Sequence, residues 1–243
     1  MATESSEATS SSEAISEFIH TPFYCEENIY FLCKKLCENG KANADGSDLF
    51  VVFISNEKKA VGFLSNVFTK FVLLIWDNGH LAASFKKCHS MYVQRKRDGD
   101  DDETSSTLVW DMDSSLPFPS PLDSYLSETT RPSFELFSDF QRFYRVVHAP
   151  VFLRGFASDR SHMKDSAGNW NAQPPAYEPV VAEDGTVNNL KEYMDIHAPT
   201  ETVAIDELTK MVLRQDQKHG VVLKESQVKE FFSQLNVTNA LSD

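Results

Sequence analysis

Residues 25–38 read Cys25-Glu26-Glu27-Asn28-Ile29-Tyr30-Phe31-Leu32-Cys33-Lys34-Lys35-Leu36-Cys37-Glu38, and Leu49-Phe50-Val51-Val52-Phe53-Ile54 follows after a short polar break. In the first stretch Ile29, Leu32, Cys33, Leu36 and Cys37 recur at helical spacing, which predicts a helix over Glu26–Glu38. Glu26 and Glu27 suit the positive end of its dipole, and Asn39-Gly40 suit its stop. The second stretch is apolar throughout and ends at Ser55-Asn56-Glu57, the pattern of a buried strand. A helix feeding a buried strand means that helix and sheet pack together here.

Upstream, residues 1–15 are Ser, Thr, Glu and Ala with no large apolar residue before Ile15, the composition of a disordered tail. Downstream, Phe71–Trp76 reads as a strand and Asp77-Asn78-Gly79 as a turn. His89–Arg95 reads as a further strand whose hairpin partner is Thr107–Met112. Their connection holds four consecutive acids, Asp100 to Glu103, a solvated loop without metal-ligand spacing. Glu135–Phe143 is read as helical, leading into a strand over Tyr144–Val147. Phe152–Tyr177 is rich in Gly, Pro, Ser and Asn and reads as a long ordered surface loop. Two amphipathic helices are expected beyond it, near Glu201–Lys218 and near Ser226–Leu235, the second after Gly220-Val221-Val222. The domain reading is a tail over 1–15, a main domain over 16–200 and a C-terminal helical extension over 201–243, packed on that domain or appended to it.

The 243 residues are 41% hydrophobic, with 18 Phe and 7 Tyr to fill a core. The formal charge of −13 argues against a nucleic-acid or anionic-membrane binder. It suits a cationic partner such as a free N-terminal ammonium, and it equally suits plain solubility. The N-terminal residues lack the features of a secretory or transit peptide, and no apolar run is long enough to span a bilayer. The four cysteines (Cys25, Cys33, Cys37 and Cys88) are therefore expected to be thiols in a reducing compartment.

Among them Cys25 stands apart. It sits where backbone N–H groups and the positive helix end would face its sulfur and favour the nucleophilic thiolate. A small buried residue is the competing reading, and for Cys33 and Cys37, on the apolar stripe, it is the preferred one. A thiolate needs a base, and the base an orienting acceptor. In a hairpin centred on Asp100, His89 and Asp111 sit opposite one another, within reach across the ladder. Asp113 points the same way as Asp111 and is the alternative orienter. Glu26 and Glu27 oppose a thiolate by like charge yet suit a helix start, and one of them could instead bind a substrate ammonium.

Three stretches resemble one family, the protein N-terminal glutamine amidohydrolases. They are Phe23-Tyr24-Cys25-Glu26-Glu27-Asn28-Ile29-Tyr30 with Val52-Phe53-Ile54-Ser55-Asn56-Glu57; Val109-Trp110-Asp111-Met112-Asp113 with Leu116-Pro117-Phe118-Pro119; and Phe156 through Asp165 running on to Gly168-Asn169-Trp170 and Pro174-Pro175. The resemblance covers roughly 21–61 and 92–180, and more loosely the C-terminal tail of plant members. It implies an α/β (α+β) fold, an antiparallel-sheet sandwich with a papain- or transglutaminase-like Cys-His-Asp core. It also implies Cys25 as nucleophile and Asp111 as orienting acid. The family's Trp-Asp-Tyr-His-Val is missing: Trp76-Asp77 is followed by Asn78-Gly79-His80. That leaves His89 and His80 as candidate bases, with His89 preferred because its strand pairs with that of Asp111. Residues 62–91 thus read as an exon that has diverged, been spliced alternatively or been mis-assigned.

The implied activity is deamidation of N-terminal glutamine on proteins or peptides to glutamate through a Cys thioester, feeding an arginylation-dependent N-degron route. The expected state is a monomer in the cytoplasm, and secondarily the nucleus, with no cofactor, metal, nucleic acid or membrane partner. An impaired relative that only binds N-termini or partners is the alternative, and a thiol peptidase is a third reading that the Phe156–Trp170 stretch opposes. The ammonium-binding residue is left open between Glu26 and Asp159.

Overall fold

The computed structural model describes residues 17–55, 75–77, 80–82, 89–95, 107–129 and 141–239. Helix α1 spans Cys25–Glu38 and strand β1 spans Leu49–Ser55. They are followed by β2 (Ile75–Asp77), β3 (His80–Ala82), β4 (His89–Arg95), β5 (Thr107–Trp110), β6 (Ser120–Pro121), α2 (Leu122–Thr129), β7 (Phe143–His148) and α3 (Ala149–Gly155). The chain continues through α4 (Leu190–Met194), α5 (Ile205–Val212), β8 (Val221–Lys224) and α6 (Glu225–Asn239). Six strands form one antiparallel sheet in the order β6-β5-β4-β1-β7-β8, while β2 and β3 pair separately.

Every residue of β1 is buried because helices cover both faces of the sheet. On one face Leu49, Val51 and Phe53 pack with Ile29, Leu32, Cys33 and Leu36 of α1 and with Phe152 and Tyr193. On the other, Phe50, Val52 and Ile54 pack with Tyr125 of α2, Leu208 and Val212 of α5, and Phe231 of α6. Alternate side chains of one strand therefore feed two cores, the period-two rule applied to a strand buried on both sides. The architecture is mixed α/β on an antiparallel sheet, as expected.

Several elements differ from the sequence reading. The helical segment is α1 with Cys25 inside it as its first residue. Helices α2 and α3 were not anticipated: one lies just after the Pro-rich stretch 117–121, and the other occupies the start of the segment read as a surface loop. β7 begins at Phe143, where a helix was expected to end; residues 135–140 of that helix lie outside the described residues. The tail 1–15, the run 71–74, the turn 78–79, the acidic loop 96–106 and Cys88 lie outside them too. Cys25, Cys33 and Cys37 carry no disulfide.

The C-terminal segment contributes a strand as well as helices. β8 extends the central sheet beside β7, with Tyr144 opposite Leu223. Its entry requires glycine: Gly220 has φ +63°, and a Cβ there would lie 1.9 Å from the Val146 carbonyl oxygen. Arg145 secures the junction by donating to the carbonyls of Tyr193, Asp195 and His219. The first expected helix is correspondingly short, ending at Val212.

The β4–β5 register corrects a further expectation. Tyr92 pairs with Trp110 and Arg95 with Thr107, so the hairpin is centred on residue 101 and not on Asp100. Extending the ladder would set Met91, not His89, beside Asp111. Loop symmetry does not determine register; burial does. Val109 and Trp110 fill opposite cores, and the Trp110 indole N–H donates to Gln94 Oε1 at 3.0 Å, which locks the pairing.

Candidate active site

The N-terminus of α1 is held from below. Thr21 and Asn28 exchange two hydrogen bonds of 2.8 Å, backbone N–H to side-chain oxygen and side-chain amide to backbone carbonyl. The chain reverses just before the helix, with Phe23 at φ +73° and largely exposed. Tyr24 precedes the first helical residue and makes no side-chain cap. The first-turn N–H groups near Cys25 thus receive no capping side chain from Tyr24.

Cys25 is partly exposed, and its thiol donates to Asp113 Oδ2 at 3.1 Å. The other oxygen of Asp113 lies 3.0 Å from His20 Nε2. Asp111 stands one link behind. Its Oδ1 accepts the Asp113 backbone N–H at 2.9 Å, and its Oδ2 accepts the Tyr125 hydroxyl at 2.6 Å. Burial first, and the Asp111 charge second, hold the Tyr125 phenol far above its ordinary range, so Tyr125 is the donor in that bond. A tight turn, closed by Ser114 N–H to the Asp111 carbonyl, carries the chain from one aspartate to the other.

The two glutamates after Cys25 have different surroundings. Glu27 is fully buried and bonded at 2.8 Å through both oxygens to the Arg160 guanidinium. Arg160 adopts φ +61° and lies over the Tyr177 ring at 5.0 Å. Tyr24 adds a hydrogen bond to the Ala172 carbonyl. These contacts bind the 156–180 segment to the helix start. Glu26 has a side chain only 10% exposed, and its buried Oε1 accepts no hydrogen bond. His162 Nε2 lies 3.2 Å from that oxygen, a charge-pair distance without hydrogen-bond alignment. Asp159 is exposed and already accepts from Ser161 N–H and Asn188.

Cys33 is a core thiol and Cys37 a partly buried one packed against the core; burial raises both above the ordinary thiol range. His89 opens β4, its backbone paired with Ile54 of β1, at the sheet end where β5 delivers Asp111 and Asp113. His80 belongs to the separate β2–β3 hairpin, paired with Asp77. Cys25 is therefore brought to Asp113, which the sequence reading held as the alternative, and Asp111 accepts from the Asp113 backbone N–H. His20, His162, Arg160 and Tyr125 were not anticipated at the site. His20 and His162 lie outside any periodic element, and Tyr125 sits on a helix that the Pro-rich sequence hid. Among the described residues, no group of three His, Cys, Asp or Glu is arranged to hold a metal ion.

Residues 20–232 match the N-terminal glutamine amidase family. The chain is 50% identical over 220 residues to the protein N-terminal glutamine amidohydrolase of Arabidopsis thaliana, covering 90% of this chain and 93% of that one. It is 46% identical over 228 residues to that of Oryza sativa subsp. indica, covering 90% and 89%. It is 30% identical over 179 residues to that of Homo sapiens, covering 73% and 78%. These matches place the chain among the enzymes that hydrolyse amide bonds. It belongs to the N-terminal glutamine amidase family, and the matched span takes in β8 and about the first half of α6.

Proposed function

We propose that this enzyme converts N-terminal glutamine of proteins and peptides to glutamate, with Cys25 as nucleophile, through a papain- or transglutaminase-like Cys-His-Asp arrangement. The observation that carries the reading is a partly exposed thiol at a helix N-terminus, against a carboxylate at 3.1 Å, in a chain half identical to a protein N-terminal glutamine amidohydrolase. The Cys25 thiolate attacks the side-chain carboxamide carbon, and backbone N–H groups at the start of α1 stabilise the oxyanion. The C–N bond breaks as an imidazole protonates the departing ammonia. The same imidazole then takes a proton from water, whose oxygen attacks the thioester and releases the carboxylate and Cys25. His89 is the proposed base, supported by its place at the sheet end nearest Asp111 and Asp113, and Asp111 is its orienting acid. The product, an N-terminal glutamate, suits an arginylation-dependent degradation route. We assign the enzyme to the cytoplasm and secondarily the nucleus, acting as a monomer.

Glu26, rather than Asp159, is the proposed anchor of the substrate ammonium. Glu26 Oε1 is buried without a hydrogen bond, with His162 Nε2 beside it at 3.2 Å; a buried acceptor lacking a hydrogen bond costs about 1–3 kcal/mol, and an ammonium supplies donors. The distances permit it. In glutamine the α-nitrogen lies four bonds, about 5 Å, from the carboxamide carbon, and the Cα atoms of residues 25 and 26 are about 3.8 Å apart.

Incubating the protein with peptides bearing N-terminal Gln, N-terminal Asn or internal Gln tests the reading. Ammonia from the first alone supports it, and backbone cleavage indicates a peptidase. Absence of turnover by the folded protein supports an impaired relative, the reading favoured by the missing Tyr-His-Val around Trp76-Asp77. His89→Ala and His80→Ala identify the base, and full activity in His89→Ala overturns that assignment.

A further inference from the structure

The mechanism above uses Cys25, His89 and Asp111, yet Asp113 also touches the Cys25 sulfur, and His20 lies on the other oxygen of Asp113. The three form a line: Nε2 of His20 to Oδ1 at 3.0 Å, and Oδ2 to the sulfur at 3.1 Å. His20 is not a loose surface imidazole. Its side chain is 26% exposed, and the next residue, Thr21, is tied twice to buried Asn28 on α1. Asp113 is held on its other side, through its backbone N–H, by Asp111. The Asp113 residue is thus held at its backbone by Asp111 and at Oδ1 by His20, while Oδ2 meets the nucleophile.

We propose that His20 is a positioning residue for the nucleophile: it aims Asp113 so that the Cys25 side chain is held in one orientation, and it offsets the Asp113 charge beside the forming thiolate. This rests on Cys25 being the nucleophile. A carboxylate at 3.1 Å accepts the thiol proton well, which orders the side chain, but it opposes the thiolate by like charge. An imidazole N–H on the opposite oxygen draws that charge away. The titratable groups along these contacts are His20, Asp113 and Cys25, with Asp111 on the Asp113 backbone N–H. No proton need pass through His20, since the acid and base of the reaction lie elsewhere.

The test uses the full chain with a Gln-peptide assay, and independently the rate of Cys25 alkylation by iodoacetamide against pH, followed on the Cys25 peptide by mass spectrometry. His20→Ala should lower kcat about tenfold, with KM within about twofold, and move the alkylation midpoint to higher pH. His20→Gln, which restores an N–H donor, should recover most of the kcat. Unchanged kcat and an unchanged alkylation midpoint in His20→Ala overturn the proposal. Equal losses in both variants, with a lowered melting temperature and an unmoved midpoint, also overturn it by reducing His20 to a structural contact. If the unsubstituted protein releases no ammonia, the activity reading fails, while the alkylation profiles still decide the role of His20.

Discussion

Helix α1 carries cysteines and glutamates at both of its ends, and identical residue types meet opposite surroundings. Cys33 and Cys37 lie on the apolar stripe against β1, where burial holds each as a neutral thiol. Cys25 lies one residue into the same helix, partly exposed, with a carboxylate on its sulfur. Glu38 is a solvated partner of Lys35, an exposed pair worth little. Glu27 is sealed against Arg160, and Glu26 is nearly as buried without a bonded donor at Oε1. The difference teaches that the helix serves two purposes along its length. Its middle and end are a packing element, while its first turn concentrates desolvated polar groups that a purely structural helix start would leave in water.

Substitutions at the two ends should separate those purposes, and the largest effect is expected at Cys25. Cys25→Ala should lower ammonia release by at least about a thousandfold while the melting temperature moves little, because the removed group is chemical rather than packed. Retention of even a tenth of the activity would remove Cys25 as nucleophile. Next is Arg160→Ala. It strands the fully buried Glu27 charge and should cost about 3–5 kcal/mol in denaturant unfolding, since breaking one partner of a buried pair leaves the other uncompensated. A loss below 1 kcal/mol would mean that water replaces Arg160 with ease, and that the 156–180 segment is not fastened through it.

Glu26→Gln sharpens the contrast between adjacent glutamates. Removing a buried carboxylate with no donor on Oε1 should leave stability unchanged or slightly raised. If Glu26 anchors the ammonium, KM for a Gln-peptide should rise roughly tenfold, about 1.4 kcal/mol, with the Cys25 alkylation rate unaffected. An unchanged KM would return the anchoring role to another acid. The smallest effect is expected at the packed end. Cys33→Ala should keep full activity and lower stability by about 1 kcal/mol through the lost sulfur contacts.

Much of the frame was legible in the sequence. The stripe of α1, the all-apolar run of β1 and the β4–β5 hairpin follow from local periodicity. The elements that were missed had their local signal masked. α2 follows a Pro-rich stretch, α3 hides in a segment whose composition reads as loop, and β8 is too short to show a period of its own. The β4–β5 register was misplaced because it is determined by which side chains fill which core, not by the loop.

Sequence by itself determined that a cysteine and two acids open an amphipathic helix, that a buried strand follows it, and that a specific Asp111–Asp113 pair and a 156–170 segment accompany them. Tertiary structure alone decided which acid meets which partner. Asp113 touches Cys25 across 88 positions of chain, His20 reaches Asp113 across 93, and Arg160 reaches Glu27 across 133. Helix and strand periods come from neighbours a few residues apart and are written locally. A hydrogen bond between distant segments depends on where the packed cores leave their ends, so no spacing rule along the chain could have chosen Asp113 over Asp111 or Arg160 for Glu27.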